Sequence, residues 1–180
     1  MEDPIGPPKP AHLPDPPRAR IDHVPRLLPA ACLHLSEGLR ITALPRDRTG
    51  WGRLCRILSV GRLRVEKGDC LLHLDDLLAR PKGLELLLHA PDRDTPEWMR
   101  AAKHLTRRLG PQVSLLMAPS YDGQDKARFA TAERMALKLG VVVAASARPL
   151  MHHGSRRRLT AIQTCIREGL RVEDLGPAAP

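Results

Sequence analysis

Three groups of residues in this chain have the type and spacing to do chemistry. The adjacent His152 and His153 are imidazole donors that would hold a transition metal if a third ligand converged on them. As neighbours on a loop they point in different directions, and a solvated loop explains them as well. The cations Arg46, Arg53, Arg56, Arg62, Arg64 and Lys67 form a ridge suited to a phosphate backbone, where charge matters and base sequence does not. The alternative is a solvated face, or one that packs on a larger protein body. Arg156, Arg157 and Arg158 open the helical stretch "RRRLTAIQTCIREG", against the sign of the helix dipole, which suits a phosphate or acidic partner or a frayed end.

Paired carboxylates are less promising. Asp75 and Asp76 diverge by about 100° on a helix, so they read as dipole partners of an N-terminus before they read as an acid and its base. Asp122 and Asp125 have the same simple explanation. There is no Gly-rich phosphate loop, no G-x-S-x-G elbow and no nucleophile beside a recognisable base. Cys32, Cys55, Cys70 and Cys165 are far apart and form no CxxC pair, so they are expected to be reduced thiols.

The elements that must position these groups follow from periodicity. "LPAACLHL" and "LRITALP" flank the turn-like "SEG" and read as strands of a hairpin. "PRDRTGWGRLCRILSVG" reads as a helix with Trp51, Leu54, Cys55 and Leu58 on its packed face and Arg46, Arg53 and Arg56 on the other. "HLDDLLA" is a short helix ended by Pro81 and Gly83. "GLELLLHA" is a strand apolar enough for burial on both faces. "DTPEWMRAAKHLTRRLG" carries Asp94 or Thr95 as cap, Pro96 in the first turn, arginines late and Gly110 as the stop. "QVSLLMAP", "DGQDKARFATAERMALKLG" and "VVVAAS" supply strand, helix and strand. A last helix is expected to turn Leu159, Ile162, Cys165 and Ile166 inward. Strand and helix alternating through short connections is the pattern of an α/β sheet or barrel.

At 180 residues the chain suits one domain with a tail. Residues 1–24 are rich in proline and poor in apolar side chains, and are expected to be disordered. No stretch reaches the roughly 18 apolar residues of a membrane span, and the N-terminus lacks a signal-peptide pattern, so a cytoplasmic location is expected. The balance of 29 Lys+Arg against 20 Asp+Glu gives a net charge of +9 and favours a polyanionic partner. Aromatic residues are only 2% of the chain, which argues against a binder built on several stacking platforms.

The string "RDRTGWGRLCRILSVGRLRVEKGDCLLHLDDLLA" resembles a region of the bacterial error-prone DNA polymerases, relatives of the C-family DNA polymerase III α chain. "RRRLTAIQTCIREG" resembles the helix that closes that family's N-terminal polymerase-and-histidinol-phosphatase (PHP) domain, and the likeness spans roughly residues 25–176. The resemblance implies a distorted (β/α) barrel, here an incomplete one, with 177–180 as a short tail. It also implies a role in translesion DNA synthesis, DNA repair and replication. Some family members bind zinc, manganese or magnesium through His and Asp ligands at strand ends. This chain has no His-x-His for the first ligand group. Matching the last group places Arg148 where an aspartate would stand and Leu150 where a histidine would, leaving His152 as the remnant. An arginine at a cation site reverses its electrostatics. The palm aspartates of the polymerase have no counterpart either. The expectation is therefore a truncated relative, catalytically inactive by itself and without a cofactor. The alternative is a non-catalytic basic module that binds DNA or a replication or repair protein.

Overall fold

The computed structural model describes residues 27–91, 95–147, 149 and 151–175. The expected tails at 1–24 and 177–180, and the positions of Arg148 and Leu150, lie outside the described residues.

Five strands form one sheet in chain order: β1 (Ala31–His34), β2 (Arg40–Pro45), β3 (Leu84–His89), β4 (Val113–Met117) and β5 (Val142–Ala145). The first two make the expected hairpin, turned by Gly38 at φ 79, a left-handed conformation that favours glycine. β2 also pairs antiparallel with β3, whereas β3, β4 and β5 run parallel, so the sheet is mixed and open, with β1 and β5 as its edges. Closure into a barrel is not seen among the described residues.

Alternation of side chains along each strand builds the core on one face of this sheet. Leu33, Ile41, Leu88 and Leu115 are successive register partners across β1 to β4, and all four are fully buried. On β3, Leu84, Leu86 and Leu88 are buried while Glu85, Leu87 and His89 are only half-buried. The apolar run of β3 thus has one well-covered face, where its composition suggested two.

Helices α1 (Arg48–Leu63), α2 (Leu74–Leu78), α3 (Pro96–Leu109) and α4 (Asp125–Leu139) form a continuous layer in which each touches the next. Caps define their starts. The Asp47 carboxylate accepts from the Gly50 amide at 2.7 Å, and the Thr95 hydroxyl accepts from the Trp98 amide at 3.3 Å. The strong amphipathicity of α3 buries Trp98, Ala102, Leu105 and Leu109. It ends at Leu109 because Pro111 follows in a 3-10 turn. Gly110 has φ −35, so no left-handed glycine stop operates there. α4 ends on Gly140, and α5 (Arg157–Glu168) ends on Gly169, both left-handed.

Two packing expectations change. Gly50, Leu54, Ile57 and Gly61 form the buried face of α1, and Trp51 stands 41% exposed at its border. Two glycines at the contact let the helix approach its neighbours closely, and the indole is pushed to the rim. In α5 only Thr160 and Cys165 are buried, whereas Leu159, Ile162 and Ile166 are exposed. The inward face expected for this helix is therefore largely open to solvent among the described residues.

Candidate nucleic-acid interface

Three of the six ridge cations are structural struts. Arg46 forms an ion pair with Glu85 on β3. Arg53 donates through Nη1 to the Lys82 carbonyl at 2.8 Å, fastening α1 to the loop before β3. Arg64 grips Asp76 with both guanidinium nitrogens, the Nη2 to Oδ1 bond measuring 2.7 Å, and reaches the Leu71 carbonyl at 3.2 Å. Asp76 also accepts from the His73 amide at 2.9 Å. The Arg64 bond is the main reason the Asp76 carboxyl is held down to about 2, and the same bond raises the Arg64 guanidinium above its ordinary value. A guanidinium committed this way fixes the α1–α2 connection and is a poor phosphate ligand.

Arg56, Arg62 and Lys67 remain exposed and form no ion pair with a described residue. The structure adds Arg48 to them. It lies one turn before Gly52 and two before Arg56 on the solvent face of α1, and is likewise exposed. The helical spacing 48, 52, 56, 59 would have revealed it in the sequence, as it reveals Arg56. Trp51 is not legible in the same way, because a large apolar residue at that spacing is normally assigned inward.

The remaining candidates separate. His152 is exposed, and the His153 ring is turned to a local cap, accepting from the Ser155 amide at 3.2 Å with the Ser155 hydroxyl 2.8 Å away. Among the described residues no three His, Cys, Asp or Glu side chains cluster to hold a metal ion. Arg156 closes a 3-10 turn, and α5 begins at Arg157 without a side-chain cap. Asp75 is exposed, while Asp76 belongs to Arg64, so the pair shares no proton. Asp122 and Asp125 both hold Arg128, and Asp125 further accepts from the amides of Ser120 and Tyr121. The Arg128 bond keeps the Asp122 carboxyl at about 2.

A cleft of about 90 Å³ opens at the carboxyl ends of β3 and β4, where ligands of parallel α/β sheets usually bind. Arg40, His89, Ser120 and Arg128 line it, and His89 Nε2 lies 2.8 Å from the Thr42 hydroxyl. Its rim carries Arg40 and Arg128, the latter already held by Asp122 and Asp125.

The described residues thus define a mixed α/β domain with exposed basic residues on several helices, and the outer face of α1 is the stretch of them that no carboxylate within the same helix interrupts. No helix among them is long and apolar enough to cross a membrane. No family model matches the chain. It is similar to part of proteins named error-prone DNA polymerase. That of Ruegeria pomeroyi is 38% identical over 176 residues, which is 97% of this chain and 15% of the relative. Those of Sinorhizobium medicae and Rhodopseudomonas palustris strain BisB5 are each 40% identical, over 88% and 86% of this chain. The chain is therefore homologous to a segment of these polymerases, and spans about 15% of the length of the Ruegeria relative.

Proposed function

We propose that this chain is the PHP-type region of an error-prone, translesion DNA polymerase, that it works in the cytoplasm with DNA and other polymerase or repair components, and that it serves there as a non-catalytic scaffold. One observation carries this reading: the similarity to error-prone polymerases runs along 97% of the chain, so it is not confined to a short motif. The succession β3-α3-β4-α4-β5 supports the reading in that a (β/α) barrel wall would contain it, as an open parallel sheet also does. A scaffold role suits a domain in which the carboxylates of Asp76, Asp122 and Asp125 are engaged by Arg64 and Arg128.

The test is a chimera in which the full 180-residue chain replaces the aligned segment of the Ruegeria pomeroyi polymerase. Primer extension across an abasic site should be retained within about tenfold, and the chain alone should incorporate no nucleotide. A soluble, folded chimera without extension activity would overturn the assignment, and incorporation by the isolated chain would overturn the non-catalytic role.

A second reading, a basic module that binds DNA or a replication or repair protein, is favoured by α1 itself, which carries four arginines and no carboxylate.

A further inference from the structure

α1 buries Gly50, Leu54, Ile57 and Gly61, so at about 100° per residue its opposite face presents Arg48, Gly52, Arg56, Ser59 and Arg62. Along the axis Arg48 and Arg56 stand about 12 Å apart, and Arg56 and Arg62 about 9 Å. Between them Gly52 has no neighbouring atom within 4 Å of a Cβ position, leaving the backbone open to close approach. Trp51, at the edge of this stripe, lines a groove of about 200 Å³ with Leu27, Leu28, Pro29 and Pro45.

We propose that the outer face of α1 binds single-stranded DNA, with phosphates on Arg48, Arg56 and Arg62 and one base stacked on the Trp51 indole. Charge complementarity selects a polyanion: no carboxylate lies within α1, the Asp47 carboxylate that lines the same groove is occupied by the Gly50 amide, and each arginine of the stripe lacks an intramolecular ion pair with a described residue. The half-exposed indole selects a single strand, because only an unpaired base offers its π face to a side chain. The low aromatic content still limits the site to one stacking position. Affinity is carried mainly by phosphate contacts and discriminates little between base sequences. The choice of DNA over RNA rests on the polymerase reading above; the geometry of the face does not.

Trp98 is 6% exposed, so it provides an internal fluorescence reference for Trp51. The experiment titrates the full chain with a twenty-nucleotide oligo-dT and, separately, with a twenty-base-pair duplex, at two salt concentrations. Oligo-dT should quench the exposed tryptophan and bind at least about tenfold tighter than duplex. Trp51→Phe should abolish the quench and weaken oligo-dT binding. Arg56→Gln combined with Arg62→Gln should weaken it at least tenfold and reduce the logarithmic salt slope by about 1.4, two phosphate contacts at about 0.7 each. Duplex binding of equal strength, binding without quench, or no binding at low salt would each overturn the proposal. An active chimera without quench removes only this face assignment, whereas quench with an inactive chimera removes only the polymerase assignment.

Discussion

Leu115 on β4 and Val143 on β5 are register partners, yet Leu115 is fully buried and Val143 is 39% exposed. The row that begins at Leu33 and passes through Ile41 and Leu88 therefore fades at its last member. α4 covers β4 and part of β5 with Ala132, Met135, Ala136 and Leu139. Beyond them the edge stands open, and Val142 is 70% exposed. The sheet has a strong centre and a weak parallel edge.

That gradient predicts unequal costs for truncating its two members. Leu115→Ala removes a side chain from the middle of the core and should cost about 2–5 kcal/mol. Val143→Ala should cost under about 1 kcal/mol, since much of its surface is already wet. Urea denaturation of the two variants measures both, and equal costs would mean that β5 is as deeply packed as β4.

Periodicity made the elements readable in the sequence because each helix carries a local cap or stop, such as Asp47, Thr95 and Gly140, that acts within a few residues. It could not tell which apolar stripe would find a partner. Ile162 and Ile166 have inward spacing yet stay exposed, and Trp51 is displaced to the rim by a glycine, Gly50, whose role depends on a loop thirty residues away. The basic ridge was half readable for the same reason. Arg53 and Arg64 are arginines like Arg56 until the Lys82 carbonyl and the Asp76 carboxylate arrive from elsewhere in the chain.

Gly50 and Gly52 lie two residues apart in α1 and should respond oppositely to alanine. A Cβ on Gly50 would collide with the carbonyl of Gly83, both backbone atoms that cannot step aside. Gly50→Ala should cost about 1–3 kcal/mol or more. A Cβ on Gly52 meets nothing, so Gly52→Ala should gain about 0.5–1 kcal/mol from helix propensity. Thermal melts of both variants check the sign, and a stable Gly50→Ala protein would show that α1 does not touch that loop.

Arg64 should make stability depend on pH through Asp76. With its folded pKa at about 2 and an ordinary value of about 3.9, the Asp76 carboxylate stabilises the fold above pH 4. This contribution is lost as pH falls from about 4 through about 2. Arg64→Leu should raise the Asp76 pKa towards the ordinary range, with the His73 amide still holding it down in part, readable by NMR titration. The stability gap between parent and variant should be widest near neutral pH and close by pH 2, whereas a gap constant with pH would assign Arg64 a packing role alone.

The region around His152 should not depend on a metal. A cation centre needs several converging donors of low net positive charge, and here His153 is turned to Ser155 while Arg156, Arg157 and Arg158 follow within six residues of His152. Each guanidinium raises the cost of placing another cation nearby. Chelation with EDTA should therefore leave the melting temperature unchanged, and His152→Ala should leave the metal content of the purified chain unchanged by elemental analysis. Stoichiometric zinc or manganese that disappears in His152→Ala would mean that ligands outside the described residues complete a site, and that this loop is catalytic machinery after all.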